Sequence, residues 1–131
     1  MIFVDTSFWV ALRNRLDPKH ADAKRLLEEN SREALLTTDH VRGETWTYLR
    51  RRAGHRSAVD FFEVLSRSPR VRVTHVGESL EEEAIRWLRR RDEREYSFVD
   101  ATSFAAMRAL RITEALAFDA DFSAAGFTTL A

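Results

Sequence analysis

Cysteine is absent from this 131-residue chain, which excludes disulfides and thiolate metal sites and is compatible with a reducing compartment. Proline occurs twice and glycine four times. No Pro/Gly-rich linker, repeat or low-complexity tract therefore divides the chain, and residues 1–131 read as one domain. Lysine is almost missing: Lys19 and Lys24 are the only two, so arginine supplies the other 19 of the 21 basic residues. An excess of charge is lacking too. The 21 basic residues meet 21 acidic ones, and no bulk field marks a nucleic-acid binder. No apolar run approaches membrane-spanning length, and the N-terminus has no charged stretch followed by a long apolar one, so a cytoplasmic protein is expected.

What is present is a chain with 44% hydrophobic residues, enough for a substantial core at this length. Its opening stretch organises the rest. Ile2, Phe3 and Val4 form an apolar run without alternation, as in a strand buried on both faces. The run stops at Asp5, and Thr6-Ser7 can cap a helix carrying Phe8, Trp9, Ala11 and Leu12. Asp17-Pro18 announces a helix that ends near Asn30, with Ala21, Ala23, Leu26 and Leu27 on its apolar side. A strand over 34–38 follows, then Asp39 as cap of a helix over 41–52 that stops at Gly54. Residues 57–66 form a helix with Val59, Phe61, Phe62 and Leu65 inward, broken by Pro69. Residues 71–76 alternate like a strand near a sheet edge. A charged helix over 79–94 buries Ala84, Ile85, Trp87 and Leu88. Ser97 caps a helix over 98–110 that is apolar almost all round. Ala115-Leu116-Ala117-Phe118 is a core strand ending at Asp119, and 126–130 add a short one. Alternating strands and helices predict an α/β domain, three layers deep, with a mainly parallel sheet between helices.

Four acids occupy unexpected places. Asp5 and Asp119 each follow an apolar strand, where open α/β sheets bind ligands. Glu44 is three after Val41 and four before Tyr48; Asp100 is four before Phe104, on an inward face. Singly, each has an ordinary explanation. Asp5 can cap a helix, Asp100 can favour a helix N-terminus, Glu44 can pair with Arg42 or Arg51, and Asp119 with Asp121 can form a turn. Jointly they converge on one sheet edge. Clustered carboxylates repel, and a hard divalent cation such as Mg2+ or Mn2+ relieves this. Without cysteine or a histidine pair at metal spacing, zinc is disfavoured. Such a site suits phosphodiester hydrolysis: Asp5, Asp100 and Asp119 as ligands, Asp121 as a further one, and Glu44 orienting or deprotonating water.

The segments IFVDTSFWVAL (2–12), HVRGETWTYL (40–49), YSFVDATSFAAM (96–107) and LAFDADFSAAGF (116–127) resemble those of PIN-domain ribonucleases of the VapC toxin type. The resemblance spans essentially the whole chain. It implies a Mg2+- or Mn2+-dependent acidic site, with the family's acids falling on Asp5, Glu44, Asp100 and Asp119. It also implies a hydroxyl at Thr6 or Ser7 that bonds a water or a ligand carboxylate. A VapB-type antitoxin covering the groove and a homodimer are implied as partners. HVRGETW, YSFVDATSF and FDADFSAAGF further resemble the branch that cuts the sarcin–ricin loop of 23S ribosomal RNA; cleavage of transfer RNA and a non-catalytic protein-binding scaffold are the alternatives.

For structured RNA, Arg50, Arg51 and Arg52 with His55 and Arg56, and Arg89, Arg90, Arg91 and Arg94, are candidate phosphate contacts, and Tyr96 a stacking platform. Solvated, salt-bridged helix faces account better for most of these arginines, with Glu81 to Glu83 as partners for the later ones. Trp9, Trp46 and Trp87 read as core. His20, His40, His55 and His75 fall in different elements and suggest no catalytic dyad. A phosphate-receiver domain needs a late lysine, and none follows Lys24. A dehalogenase-type DxD motif at Asp119 and Asp121 would need a long domain after it, where ten residues remain.

Overall fold

The computed structural model describes residues 1–130. Five strands, β1 (Ile2–Val4), β2 (Leu35–Thr38), β3 (Val71–Thr74), β4 (Glu114–Leu116) and β5 (Thr128–Thr129), form one sheet in the order β3-β2-β1-β4-β5. Every pairing is parallel, so the expected mainly parallel sheet is wholly so. Between strands run α1 (Thr6–Arg13), α2 (His20–Glu29), α3 (Asp39–Arg52), α4 (His55–Arg67), α5 (Glu78–Arg89), α6 (Phe98–Ala109) and α7 (Asp121–Ala124). Parallel neighbours require such crossovers, and the helices they supply cover the sheet. β1 and β2 are buried along their whole length, whereas β3 at the edge is mostly half-buried.

The strand order reverses between β1 and β4. β2 and β3 lie to one side of β1, and β4 and β5 to the other. Loops leaving neighbouring strands diverge at such a switch point and open a crevice at the strands' carboxyl ends. Asp5 follows β1 at this place.

Several local expectations need correction. Asp5, not Thr6 or Ser7, caps α1, its side chain accepting from the Ser7 N–H. Thr38, not Asp39, caps α3 by accepting from the Val41 N–H; the Asp39 carboxylate instead accepts from the Val76 N–H at 3.0 Å and from His75 Nδ1 at 2.7 Å. Burial would raise the Asp39 carboxyl, but these donors hold it below its ordinary range. α5 stops at Arg89 rather than Arg94, because the chain must turn back before Ser97 to start α6. Ile85 and Phe62 are exposed, each by 40%; Phe62 stacks on Trp46 with ring centroids 4.7 Å apart. β4 ends at Leu116, so Ala117 and Phe118 separate it from Asp119. The ladder ends there because β1 has already turned into α1, and the Phe118 N–H donates to the Ser7 hydroxyl at 3.0 Å.

The core is aromatic at the α6 side. Phe104, fully buried, meets Phe122 at 4.9 Å, Trp87 at 5.3 Å, Phe127 at 5.4 Å and Tyr96 at 5.8 Å between ring centroids. The Phe122, Trp87 and Tyr96 contacts are edge-to-face and the Phe127 contact is stacked, and both geometries add to the large apolar area these rings bury. α6 is held by this cluster, and its first turn carries Asp100. Phe104→Ala is expected to lower stability by about 3–5 kcal/mol, measured as a shift of the denaturant midpoint. A loss below about 1 kcal/mol would show that this cluster does not anchor α6.

Candidate active site

At the switch point lies a cleft of about 300 Å3, lined by Asp5, Thr6 and Ser7 of the β1–α1 junction, Glu44 and Tyr48 of α3, Asp100 of α6, and Asp119 and Asp121 beyond β4. The acids reach it through their own elements. Asp5 is delivered by the end of the central strand. Asp100 belongs to a capping box, in which the Ser97 hydroxyl accepts from the Asp100 N–H at 2.9 Å and the Asp100 carboxylate accepts from the Ser97 N–H at 3.0 Å. Asp119 accepts from the Asp121 N–H at 3.0 Å in a tight turn. The ordinary explanations for Asp5, Asp100 and Asp119 therefore hold in part. One carboxylate oxygen of each serves local structure, and the acids converge regardless.

Ser7 does the most bridging. Its backbone N–H and hydroxyl donate to one Asp5 oxygen at 3.2 and 2.8 Å, while its oxygen accepts from the Phe118 N–H. One hydroxyl thus orients the Asp5 carboxylate and ties the end of β1 to the segment after β4. Thr6, by contrast, is buried with its hydroxyl unpaired. Ser7→Ala is expected to cost about 1–3 kcal/mol of stability, and Ser7→Thr should recover part of it. Equal melting temperatures for wild type and Ser7→Ala would refute the clasp.

Ligand oxygens of Asp100, Asp119 and Asp121 all lie within 4.8 Å of one another. Asp5 is outside that trio but faces its field. Burial first, then the Asp119 charge, pushes the Asp5 carboxyl up to about 8 despite the Ser7 bonds. Asp100 is raised to about 6, mainly by burial, with the Asp121 and Asp119 charges adding to it. Asp119 is raised as well, chiefly by burial. Crowded, desolvated carboxylates of this kind favour a cation between them. The donors are hard oxygens, and Thr6 adds an unpaired hydroxyl, so the residues fit a divalent ion that prefers oxygen.

Glu44 lines the cleft, half-buried and without an ion pair among the described residues. Asp121 is paired: Arg94 Nε donates to it at 2.6 Å, an interaction that raises the guanidinium pKa. The remaining basic candidates other than Arg52 lie apart from the acids. Arg91 stands over the Trp87 ring at 4.9 Å and reaches Glu93 at 3.9 Å. Tyr96 is half-buried against Trp87 and Phe104, so its ring is a core element. Arg50 and Arg51 are exposed and do not line the cleft. Tyr48, Arg52, Glu95 and Ser97 line it as well; of these the sequence offers Arg52 for RNA and Ser97 as a helix cap, and it places none of the four in the cleft. A signal for two of them exists: 44, 48 and 52 share one helical face. Of the histidines, His75 meets Asp39, but outside the cleft. Trp9 is core as expected, with its indole N–H on Thr37.

A parallel sheet in this order with an acidic cleft at its switch point defines a class. Residues 2–128 match the PIN domain family, and the chain belongs to that family. It is 59% identical over 127 residues to the 23S rRNA-specific endonuclease VapC20 of two Mycobacterium tuberculosis strains, covering 97% of this chain and 95% of that protein. The crystal structure of M. tuberculosis VapC20, described as a sarcin–ricin loop cleaving toxin, matches with a TM-score of 0.92 and 57% identity, over 98% of this chain and 97% of that one. The VapC-type resemblance expected from the four sequence segments is borne out.

Proposed function

We propose that this protein is a divalent-metal-dependent endoribonuclease toxin that hydrolyses one phosphodiester bond in the sarcin–ricin loop of 23S ribosomal RNA and so stops translation. The observation that carries it is the acidic cleft at the β1/β4 switch point, on a chain 59% identical to a 23S rRNA-specific endonuclease. Asp5, Asp100 and Asp119 are the ligands, with Asp121 as a fourth acid once Arg94 releases it. A Mg2+ or Mn2+ ion held there supplies Lewis acidity toward a phosphoryl oxygen. Glu44, which lines the same cleft, orients the attacking water and takes its proton as the phosphorus–oxygen bond of the leaving nucleotide breaks. Ser7 holds Asp5 in register, and Thr6 offers its free hydroxyl to a water in the cleft.

The partner is a VapB-type antitoxin, following the toxin description of the M. tuberculosis structure. A homodimer fits the exposure of Ile85 and Phe98, 40% and 42%. Among the described residues no helix is long and apolar enough to cross a membrane.

The deciding experiment incubates antitoxin-free protein with intact ribosomes and, separately, total transfer RNA. Each incubation receives Mg2+, Mn2+ or excess chelator, and primer extension maps the ends. One metal-dependent cut in 23S RNA is expected. A cut in transfer RNA alone would replace the substrate, and no cut in either would leave a scaffold.

A further inference from the structure

A second hollow opens beside the acidic cleft, where the α1–α2 turn meets the turn between α3 and α4. It measures about 620 Å3 and is lined by Arg13, Arg15, His20 and Arg52, with no acidic side chain. Arg52 lines both hollows and so stands between them.

The chemistry of this groove is that of an anion site. Arg13, Arg15 and Arg52 have no carboxylate within salt-bridge distance among the described residues. Arg13 Nε is buried with no acceptor at all, and a buried donor of this kind is normally paired. His20 donates from Nδ1 to the Ala11 carbonyl at 2.8 Å, which fixes its ring. Arg52 lies over the Tyr48 ring at 4.8 Å, so its fork is held in a defined plane. The 13-residue α4 starts in this groove at Gly54, whose φ of 95 is open to glycine at little cost, and no side chain caps it. Its first N–H groups and the positive end of its dipole remain available to an anion.

We propose that this groove is a phosphate-binding subsite, holding the RNA backbone that flanks the scissile bond, with Arg52 as the shared wall between the two. The proposal rests on the endoribonuclease reading above and names where its substrate is gripped. RNA is a polyanion, and a cluster of carboxylates repels it. A protein of zero net formal charge needs a local cationic shoulder to hold the strand against that repulsion. Unpaired arginines and an uncapped helix end, contiguous with the acids, provide one. Contacts of this kind position the substrate without reading its sequence.

The test uses full-length Arg15→Ala, Arg52→Ala and the double variant, with Arg32→Ala as control. Arg32 precedes β2, at the opposite edge of the sheet. Melting curves first establish that each variant folds. Binding of a labelled RNA stem–loop is then followed in chelator over a range of salt, and cleavage of ribosomes with Mn2+. Each groove variant should bind about tenfold more weakly, and the slope of log affinity against log salt should fall by about 0.9 for each phosphate no longer held. Arg15→Ala should raise KM with kcat nearly unchanged, Arg52→Lys should recover part of the loss, and Arg32→Ala should behave as wild type. Unchanged binding and slope in the double variant would overturn the subsite. So would intact RNA binding with lost inhibition by an acidic antitoxin segment, which would assign the groove to a protein. If wild-type protein leaves ribosomes uncut but the groove variants still lose RNA binding, the subsite stands and the choice of substrate fails.

Discussion

Asp5→Asn is expected to abolish RNA cleavage, by on the order of 10^3-fold, while making the metal-free protein more stable. The loss follows from position. Asp5 follows the central strand, is 2% exposed and is held by Ser7 in the lining of the cleft. Removing even an outer partner of a metal ligand typically costs about 10–100-fold, and a direct carboxylate is worth more. The gain follows from the same burial. At neutral pH without metal, the folded protein must either keep a proton on Asp5, whose pKa is about 8, or bury its charge beside Asp119. Asparagine has the same shape and no charge to bury. A gain of a few kcal/mol is the right order, visible as a rise in melting temperature on the order of 10 °C in chelator. Activity and stability should therefore move in opposite directions, which a merely structural aspartate would not produce. An inactive but destabilised variant would show that Asp5 serves the fold alone, and an active one would remove it from the site.

The metal-free wild type should lose stability as pH rises from about 5 to about 8. The folded protein keeps a proton on Asp100 up to about pH 6 and on Asp5 up to about pH 8, whereas both let go near 3.8 when unfolded. Across this window the folded state binds more protons, so the unfolding free energy falls with pH, by about 1.4 kcal/mol per unit for each such group. Asp39 is shifted the other way. Its contribution is complete above its unfolded value near 3.8 and is lost only at more acid pH, so it leaves the window untouched. Mn2+ should flatten or reverse the trend, because the ion binds the ionised carboxylates of the folded form. Melting temperatures at pH 5, 6, 7 and 8, with chelator and with Mn2+, provide the check. A metal-free curve that rises or stays level would mean that the acids are less crowded than their positions require.

Much of this is readable in one dimension. The run Ile2-Phe3-Val4 followed by Asp5 locates the central strand and its terminal acid, because a strand buried on both faces has little other way to be written. Helical spacing places Asp100 on an inward face, and the Ser97 cap comes with it. What escapes depends on contacts between distant segments. β4 reads two residues too long, since Ala117 and Phe118 are as apolar as Ala115 and Leu116. Only the Ser7 hydroxyl, which takes the Phe118 N–H, marks where the ladder ends. Arg94 reads as a helical residue facing RNA; it lies beyond α5 and meets Asp121, a pairing that no periodicity encodes. Tyr96 has the composition of a base platform and the surroundings of a core residue. Arg52 stands in a run of three arginines, and only the helix phase separates it from Arg50 and Arg51.

The Ser7 bridge between β1 and the segment after β4 also sets an order of events. Asp5 is synthesised well before Asp119 and Asp121, which lie 114 and 116 residues further along the chain. In the sheet, β4 lies directly against β1, so a growing chain holds β1 with one edge bare until β4 has been made. Domains fold as their segments emerge, but no chain that stops short of Asp121 contains the trio of Asp100, Asp119 and Asp121. The candidate metal site therefore cannot assemble before Asp121 has been added, however early the first strand is made.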